Sequence, residues 1–226
     1  PLRTASEMNS SWPEVTKKIK RNKTYQKLFY KAFGRVEIDS TLISKAIAQF
    51  ERTLISANSK YDRVIRREAK FTLDELEGME LINDMTKGNC VHCHTTDGNG
   101  LGTTGLFSNN GLDEAANPND FKDKGLGGYT KNTADYGKFK IPSLRNLLFT
   151  APYMHDGRFK TLEEVLDFYS EHVKTSATID PNLLYKPNRT PRLNRYEKQK
   201  IIAFLKTLSD SSFIENPAYS NPGMKH

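Results

Sequence analysis

Apolar residues recur at spacings of three and four along much of this chain, which is the period of amphipathic α-helices. The spacing predicts helices over residues 11–20, capped by Ser11, over residues 23–33, ended by Gly34, and over residues 40–56. The third of these carries an apolar stripe formed by Leu42, Ile43, Ala46, Ile47, Phe50 and Leu54. We therefore expect the three helices to pack against one another through their apolar faces.

Three more helices are predicted further along the chain, with a long irregular stretch among them. Thr72 and Thr161 each precede a glutamate by three residues, the pattern of a capping box. Tyr169 shares the apolar face of the helix after Thr161, so its phenol should point inward and need a hydrogen-bond partner or a metal. A last helix is expected over residues 196–208. Residues 95–139 are rich in glycine, asparagine and aspartate and predict turns and extended segments.

The composition excludes some classes of protein. With 226 residues, 36% of them hydrophobic, the chain is long enough to form a core. Its longest apolar runs, such as residues 201–205, are far below the roughly 20 residues of a membrane span. Lysine and arginine number 34 against 27 acidic residues, for a net charge of +7. The basic residues are scattered or lie on helical patterns, so we expect solvated helix faces and no nucleic-acid partner.

The only two cysteines, Cys90 and Cys93, stand in the segment Cys90-Val-His-Cys-His94, the most specific chemical signal in the chain. The pattern C-x-x-C-H is the attachment site of a c-type haem, whose two vinyl groups react with thiols one helical turn apart. The adjacent imidazole of His94 then becomes the proximal ligand of the iron. Because haem c is assembled outside the cytoplasm in most bacteria, the motif also indicates a periplasmic protein.

Three other interpretations of the cysteines stay open at this point. A thioredoxin-like dithiol would lie in a βαβ unit, whereas the residues before Cys90 have helical periodicity. A structural zinc needs four ligands. The two cysteines with His92 and His94 are so close in sequence that tetrahedral closure around one ion would be strained. A structural disulfide would leave His94 without a role.

Five sequence blocks, in order along the chain, resemble the bacterial dihaem cytochrome c peroxidase and MauG family. The blocks are Cys90-Val-His-Cys-His94, Asn109-Asn-Gly-Leu-Asp113, Ile141-Pro-Ser-Leu-Arg-Asn146, Thr150-Ala-Pro-Tyr-Met-His-Asp-Gly157 and Thr161-Leu-Glu-Glu-Val165. The resemblance implies a mainly α fold, in which a small helical segment precedes a c-type cytochrome domain with long haem-wrapping loops. It also implies that the last helix packs across the helix before the haem motif.

The resemblance further implies a domain organisation. Residues 1–66 would be a helical remnant of the peroxidatic domain with its linker, residues 67–210 the C-terminal cytochrome c domain, and residues 211–226 a tail. Family members carry two haems, one in each domain, whereas this chain has a single C-x-x-C-H motif and is expected to bind one haem c. The motif of the peroxidatic haem, at which peroxide is cleaved, would lie upstream of Pro1. Glu7 matches the family glutamate that moves protons beside that haem and is the candidate catalytic residue; a surface or capping carboxylate is the alternative.

The sixth ligand of the iron distinguishes two branches of the family. Where other peroxidases have a methionine, this chain has Tyr169, as MauG-like members do. A phenolate favours ferric and higher oxidation states, whereas a thioether stabilises the reduced iron and raises its potential. Met154, in a haem-facing loop, is the rival ligand. An iron with five ligands, and Tyr169 as a core residue, is the remaining alternative.

The resemblance also suggests residues around the haem. Thr150 and Pro152 match the positions whose backbone carbonyls bind an interdomain calcium ion, for which carbonyl oxygen is a suitable ligand. The third protein ligand belongs to the other domain, so we expect an incomplete site that binds calcium weakly or not at all. Arg145, His155 and Arg158 are candidates to hold the haem propionates by charge-assisted hydrogen bonds, with salt bridges inside the loop as the alternative.

Together these patterns predict the C-terminal portion of a periplasmic MauG-like peroxidase that transfers electrons through one covalent haem c. Hydrogen peroxide would be the oxidant of the intact enzyme, and a redox protein donor or protein substrate would supply the electrons. A homodimer is one expected assembly, because family peroxidases commonly form dimers. The main alternative is an independent monohaem electron carrier without peroxide chemistry, and an apo form made without haem attachment is a third.

Overall fold

The protein, seen here in a computed structural model, is described over residues 7–34, 37–95, 103–184 and 192–220. These residues form two compact units, one from residues 7–56 with 217–220 and the other from residues 57–216. Helices dominate both units, so the predicted mainly α fold class is confirmed. None of the helices in the described ranges combines the length and apolarity that a membrane crossing requires.

The first unit is a cluster of three helices, α1 (Trp12–Arg21), α2 (Lys23–Phe33) and α3 (Ser40–Thr53). Ser11 caps α1 with a full capping box, and Gly34 ends α2 in the left-handed conformation at φ +66°, both as predicted. The predicted packing of the three helices is confirmed by a shared core, which consists of Phe29, Ile38, Leu42 and Ile43, edged by Trp12, Val15, Ile19, Phe33 and Ala46.

The third helix is shorter than the apolar stripe predicts, because it ends at Thr53. Leu54 leaves the helical conformation at ψ 76°, and its N–H donates to the carbonyl of Glu51, which tightens the last turn. Only the N-terminal half of the stripe is buried in this unit, whereas Ile47 and Phe50 remain 48% exposed.

The second unit is built around α5 (Leu73–Asn83) and α9 (Arg195–Thr207). Its other elements are α4 (Lys60–Ile65), α6 (Leu126–Thr130), α7 (Leu162–Asp167), α8 (Pro181–Leu184), α10 (Ser211–Ile214) and the two-residue strands β1 (Phe107–Ser108) and β2 (Phe139–Lys140). The two strands pair antiparallel. The predicted capping boxes at Thr72 and Thr161 are both present, which explains why α5 and α7 begin where they do.

Helices α5 and α9 approach each other very closely at Gly78. A Cβ atom at this position would lie 2.0 Å from the carbonyl oxygen of Lys200, so only glycine allows the approach. The adjoining core contains Ile82, Leu162, Leu166, Leu193, Ile201, Ile202, Phe204, Leu205 and Leu208. Tyr61 and Phe71 contact the ring of Phe204 edge-on, each with a centroid distance of 6.0 Å. The predicted packing of the last helix across the helix before the cysteine motif is thus confirmed.

The helix after Thr161 departs from the regular α-helix that its periodicity predicts. The α-helical part, α7, ends at Asp167, and the chain continues as a π-helical turn over Phe168–His172. A π turn contains more residues than an α turn, so it changes the direction of the side chains that follow. Tyr169 lies in this turn, and its orientation is therefore set by the π turn rather than by the α-helical period.

The long middle stretch is irregular, as predicted, in the part that the structure describes. Residues 103–139 form turns and short 3-10 segments around β1, α6 and the start of β2. The glycine-rich segment Asp97-Gly-Asn-Gly-Leu-Gly102, which the sequence assigns to the same loop, lies outside the described residues.

Replacing Gly78 by alanine should strongly destabilise the second unit. The added methyl group would overlap the carbonyl of Lys200, and moving α5 away from α9 to relieve the overlap would open the core. We expect the free energy of unfolding, measured by urea denaturation, to fall by about 3 kcal/mol.

Gly128→Ala in α6 is the matched control, since the nearest atom to its new Cβ would be 3.8 Å away. That variant should stay within about 1 kcal/mol of the wild-type protein. Equal stability of the two alanine variants would contradict the close packing of α5 against α9 at Gly78.

Candidate functional site

Cys90 and Cys93 lie on a single helical turn that follows α5. Asn89 adopts the left-handed conformation at φ +49° and precedes a 3-10 turn over Cys90–His92. The amides of Cys93 and His94 both donate to the carbonyl oxygen of Cys90, at 3.2 Å and 2.8 Å. Both thiols are half-buried and are not bonded to each other, so the disulfide alternative does not describe this structure.

The surroundings of the two thiols keep them protonated. Burial raises the pKa of Cys90 to about 11 and also raises the pKa of Cys93. Cys90 packs against the apolar core of the second unit together with Val91. Redox-active dithiols have a lowered thiol pKa, so this environment argues against the thioredoxin-like alternative.

The imidazole of His94 is oriented by a backbone carbonyl from a distant part of the chain. Its Nδ1 lies 2.8 Å from the carbonyl oxygen of Pro142. Because a carbonyl oxygen only accepts, Nδ1 carries the proton and Nε2 is the nitrogen with a free lone pair, as in a metal-binding histidine. Burial also lowers the pKa of His94, which keeps the ring neutral.

The segment that contains Pro142 is bonded, at the preceding residue Ile141, to residues that follow the cysteine motif. The hydroxyl of Thr103 donates to the carbonyl of Ile141 at 2.7 Å, and the amide of Thr104 donates to the carbonyl of Cys93 at 3.2 Å. The turn that carries the thiols and the loop that orients His94 are therefore parts of one hydrogen-bonded network.

Tyr169 and Met154, the two candidate sixth ligands, meet at the side chain of Asn110. The Asn110 amide donates to the phenol oxygen of Tyr169 at 3.2 Å and to the sulfur of Met154 at 3.5 Å. Burial raises the pKa of Tyr169 to about 12, and the nearby thiols of Cys90 and Cys93 contribute to the same shift. The phenol and the two thiols thus share one environment. Asn110 was missed by the sequence analysis, where it appears only inside a family block.

A second set of ligand atoms lies beside the motif. His92, Cys93 and Asp180 bring a nitrogen, a sulfur and a carboxylate oxygen within 4.8 Å of one another. The side-chain amide of Asn182 contacts both His92, at 2.8 Å, and Asp180, at 2.9 Å. A histidine nitrogen, a cysteine sulfur and a carboxylate oxygen are all common zinc ligands. The zinc alternative therefore has a geometric basis, although with Asp180, which no sequence spacing could identify.

The two candidate arginines are engaged in salt bridges. The guanidinium of Arg145 pairs with both carboxylate oxygens of Asp62, at 2.7 Å and 2.9 Å. Arg158 pairs with Asp113 at 2.9 Å and with Asp156 at 2.6 Å. The salt-bridge alternative describes both side chains in this structure, and their contact with haem propionates stays a prediction.

The remaining predicted residues are exposed. The ring of His155 stacks on Phe139 with a centroid distance of 3.6 Å and an angle of 10°. Thr150 and Pro152 lie in the same exposed loop. Glu7 is exposed in a turn before α1, in the first unit. The roles expected for these four residues, a propionate contact, two calcium ligands and a proton carrier, stay predictions.

Comparison with known proteins gives concordant matches. A family model described as di-haem cytochrome c peroxidase matches residues 1–70. The methylamine utilization protein MauG of Methylophilus methylotrophus is 32% identical over 211 residues, which cover 92% of this chain and 58% of that protein. The cytochrome c551 peroxidase of Nitrosomonas europaea is 34% identical over 216 residues, which cover 92% of this chain and 56% of that protein. The chain therefore spans less than two thirds of the length of these relatives.

Among solved structures, a MauG-like protein associated with microbial copper homeostasis superimposes with a TM-score of 0.80 at 32% sequence identity. The match covers 98% of this chain and 71% of that structure.

Asp62→Asn should destabilise the second unit at neutral pH but not in acid. Burial of the Asp62 carboxyl opposes its ionisation, but hydrogen bonds from Arg145 and Ser59 outweigh this and lower its pKa below the ordinary value of 3.8. Such a group stabilises the fold above its unfolded pKa, and the contribution is lost as the pH falls through the lower folded pKa. At pH 7 we expect a loss of about 2–3 kcal/mol in the free energy of unfolding.

The control is Glu68→Gln, which removes an exposed pair with Arg66 whose side chains are 52% and 43% exposed. This change should leave stability nearly unchanged at every pH. A difference between Asp62→Asn and wild type that persisted unchanged well below pH 3.8 would contradict the role of the ionised carboxylate.

Proposed function

Because the chain belongs to the di-haem cytochrome c peroxidase and MauG family, we propose that its second unit binds one haem c and transfers electrons within a peroxide-dependent oxidoreductase. The family relationship accounts for the c-type cytochrome fold and for haem-based electron transfer in a peroxidase-type protein. The observation that carries the proposal is the combination of two free thiols on one turn with His94, whose Nδ1 is bonded to the carbonyl of Pro142.

Cys90 and Cys93 are the proposed points of covalent attachment. Each S–H would add across one vinyl double bond, so that a C–S bond forms and the proton goes to the neighbouring vinyl carbon. Their half-buried, partly apolar surroundings suit a large flat apolar group better than a hydrated ion. Since the chain contains no other cysteine, it can attach one haem in this way.

His94 is the proposed proximal ligand. Its Nδ1–H bond to Pro142 selects the tautomer in which Nε2 can coordinate, and it restrains rotation of the ring. The burial that lowers its pKa keeps the imidazole in its neutral, ligating form. When bound, haem c supplies an iron that changes its oxidation state by one electron.

Tyr169 is the proposed sixth ligand, and Met154 is its rival. Both side chains contact Asn110, and the raised pKa of Tyr169 reflects a buried phenol close to the two thiols. A hard phenolate oxygen would favour the oxidised iron, which suits a haem that shares oxidising equivalents better than one that only relays electrons.

The proposal extends to the intact enzyme. Hydrogen peroxide would be its oxidant and a redox protein or protein substrate its electron donor, in the periplasm. Glu7 would move protons only beside a second haem, and Thr150 and Pro152 would contribute calcium ligands only together with another domain. Residues 67–210 would form the cytochrome domain, and the whole protein could assemble as a homodimer. An independent monohaem electron carrier is the alternative within the same chemistry.

Zinc binding is a second candidate, supported by the cluster of His92, Cys93 and Asp180. It competes directly with the haem proposal, because a thioether at Cys93 would remove the thiolate that zinc needs. The two candidates therefore make opposite predictions for His92 and Asp180.

The full wild-type chain, coexpressed with the cytochrome c maturation machinery, should contain one covalent haem. The haem is quantified by its pyridine haemochrome spectrum. Replacing both Cys90 and Cys93 by alanine should abolish covalent haem, whereas the neighbouring His92→Ala variant should retain it. Absence of covalent haem, together with bound zinc that is lost in His92→Ala and Asp180→Asn, would overturn the haem proposal in favour of zinc.

Substitution of Tyr169 and Met154 should identify the sixth ligand. Tyr169→Phe removes the coordinating oxygen, so the ferric electron paramagnetic resonance spectrum should change and the reduction potential should rise. Met154→Leu should leave both properties close to those of the wild-type holoprotein. The reverse pattern would assign Met154 as the ligand, and no change in either variant would indicate an iron with five ligands.

A further inference from the structure

We propose that Asn110 is a positioning residue that biases the sixth coordination position towards Tyr169 and away from Met154. This inference rests on the proposed function, because it requires the haem, and it adds a residue that determines which of the two ligands is used. One side-chain amide contacts both candidates, at 3.2 Å from the Tyr169 oxygen and 3.5 Å from the Met154 sulfur.

The two contacts differ in strength. The nitrogen of an asparagine amide has two hydrogens and only donates, so the Tyr169 oxygen and the Met154 sulfur are both acceptors. A tyrosine oxygen bound to iron carries negative charge and retains a lone pair, so its hydrogen bond with Asn110 becomes charge-assisted. A thioether sulfur stays neutral and is a weak acceptor. The amide therefore stabilises the tyrosine-bound state more than the methionine-bound state, and this difference shifts the equilibrium between them.

The backbone around Asn110 is fixed on its N-terminal side by Asn109. The side chain of Asn109 is 3% exposed, and its amide donates to the hydroxyls of Ser176 and Thr178, at 2.9 Å and 3.0 Å. The side-chain carbonyl oxygen of Asn109 accepts a hydrogen bond from the backbone amide of Gly111 at 2.9 Å, which closes a tight turn around Asn110.

The same turn is fixed on its C-terminal side by Gly111. The carbonyl of Gly111 accepts from the amide of Lys174 at 2.8 Å, and a Cβ on this glycine, at φ +71°, would lie 2.7 Å from the Lys174 carbonyl. Lys174 lies two residues after the end of the π-helical turn Phe168–His172, which carries Tyr169. The turn that holds Asn110 is thus bonded to the chain segment next to Tyr169, and this connection maintains the distance between the amide and the phenol.

Met154, whose sulfur is the rival ligand atom, lies in a tight loop of its own. Met154 adopts the left-handed conformation at φ +72°, and its carbonyl accepts from the amide of Gly157 at 3.3 Å in a tight loop. Its described side-chain partner is the Asn110 amide. Removing that amide would release the sulfur from its hydrogen bond and would remove the donor that favours the Tyr169 oxygen.

The test compares holoproteins of the full chain that differ at Asn110. Asn110→Leu has a similar volume without a donor, and Asn110→Asp keeps the shape but only accepts. In both variants the ratio of tyrosine to methionine ligation should fall about tenfold or more, the effect of losing a hydrogen bond to a charged group. The readouts are the ferric electron paramagnetic resonance spectrum, the far-red absorption band of sulfur-ligated ferric haem, and an upward shift of the reduction potential.

Two further variants separate ligand choice from loss of structure. Ser176→Ala removes one of the two hydrogen bonds that the Asn109 amide donates, and the bond to Thr178 still holds the turn, so this variant should keep the wild-type spectrum. In the double variant Asn110→Leu, Met154→Leu the sulfur signature should disappear, which would identify Met154 as the incoming ligand.

The possible outcomes separate failure of the proposed haem function from failure of the inference about Asn110. A wild-type chain without covalent haem would overturn the proposed function and this inference together. A haem-loaded wild type with tyrosine ligation, and unchanged spectra and potential in Asn110→Leu and Asn110→Asp, would overturn the inference alone. A spectral change in Ser176→Ala as large as that in Asn110→Leu would also overturn it, because the effect would then come from the turn and not from the donor.

Discussion

The close contact between α5 and α9 is the constraint on which the second unit depends. At Gly78 the two backbones meet without room for a side chain, and the core of the unit forms beside this point. Gly88 repeats the constraint after α5, since a Cβ there would lie 2.8 Å from the carbonyl of Leu81. The chain therefore leaves α5 in a close turn against the helix, and Cys90 is packed against the same core. Positioning of the thiols is thus a consequence of helix packing.

Burial determines the protonation state of the site. It raises the pKa values of Cys90, Cys93 and Tyr169, and it lowers that of His94, so that all four groups are neutral at pH 7. Beside these four neutral groups, the Asp180 carboxylate lies close to Cys93, and, against the effect of its burial, hydrogen bonds from Asn182 and Ser108 lower its pKa.

Hydrogen bonds to backbone groups position the proposed ligand residues. The carbonyl of Pro142 orients His94, and the turn around Asn110 is bonded to the segment that follows Tyr169. His94 and the Asn110 amide are therefore each positioned by hydrogen bonds from a loop. In such an arrangement the choice between an oxygen and a sulfur ligand can depend on one amide group.

Six of the described helices and the cysteine motif could be predicted from residue spacing, whereas the short helices α4, α6, α8 and α10 could not. Ser11, Thr72 and Thr161 begin their helices through hydrogen bonds to residues three positions away, and the Cys90 and Cys93 spacing also lies within one turn. Such short-range interactions depend on residue type and spacing, which a sequence displays directly. Four features became visible only in the folded chain: the early end of the third helix, the π turn at Tyr169, the contact of His94 with the carbonyl of Pro142, and the contacts of Tyr169 and Met154 with Asn110. The last two join residues that are distant in the chain, and a backbone carbonyl has no residue type that a sequence pattern could reveal.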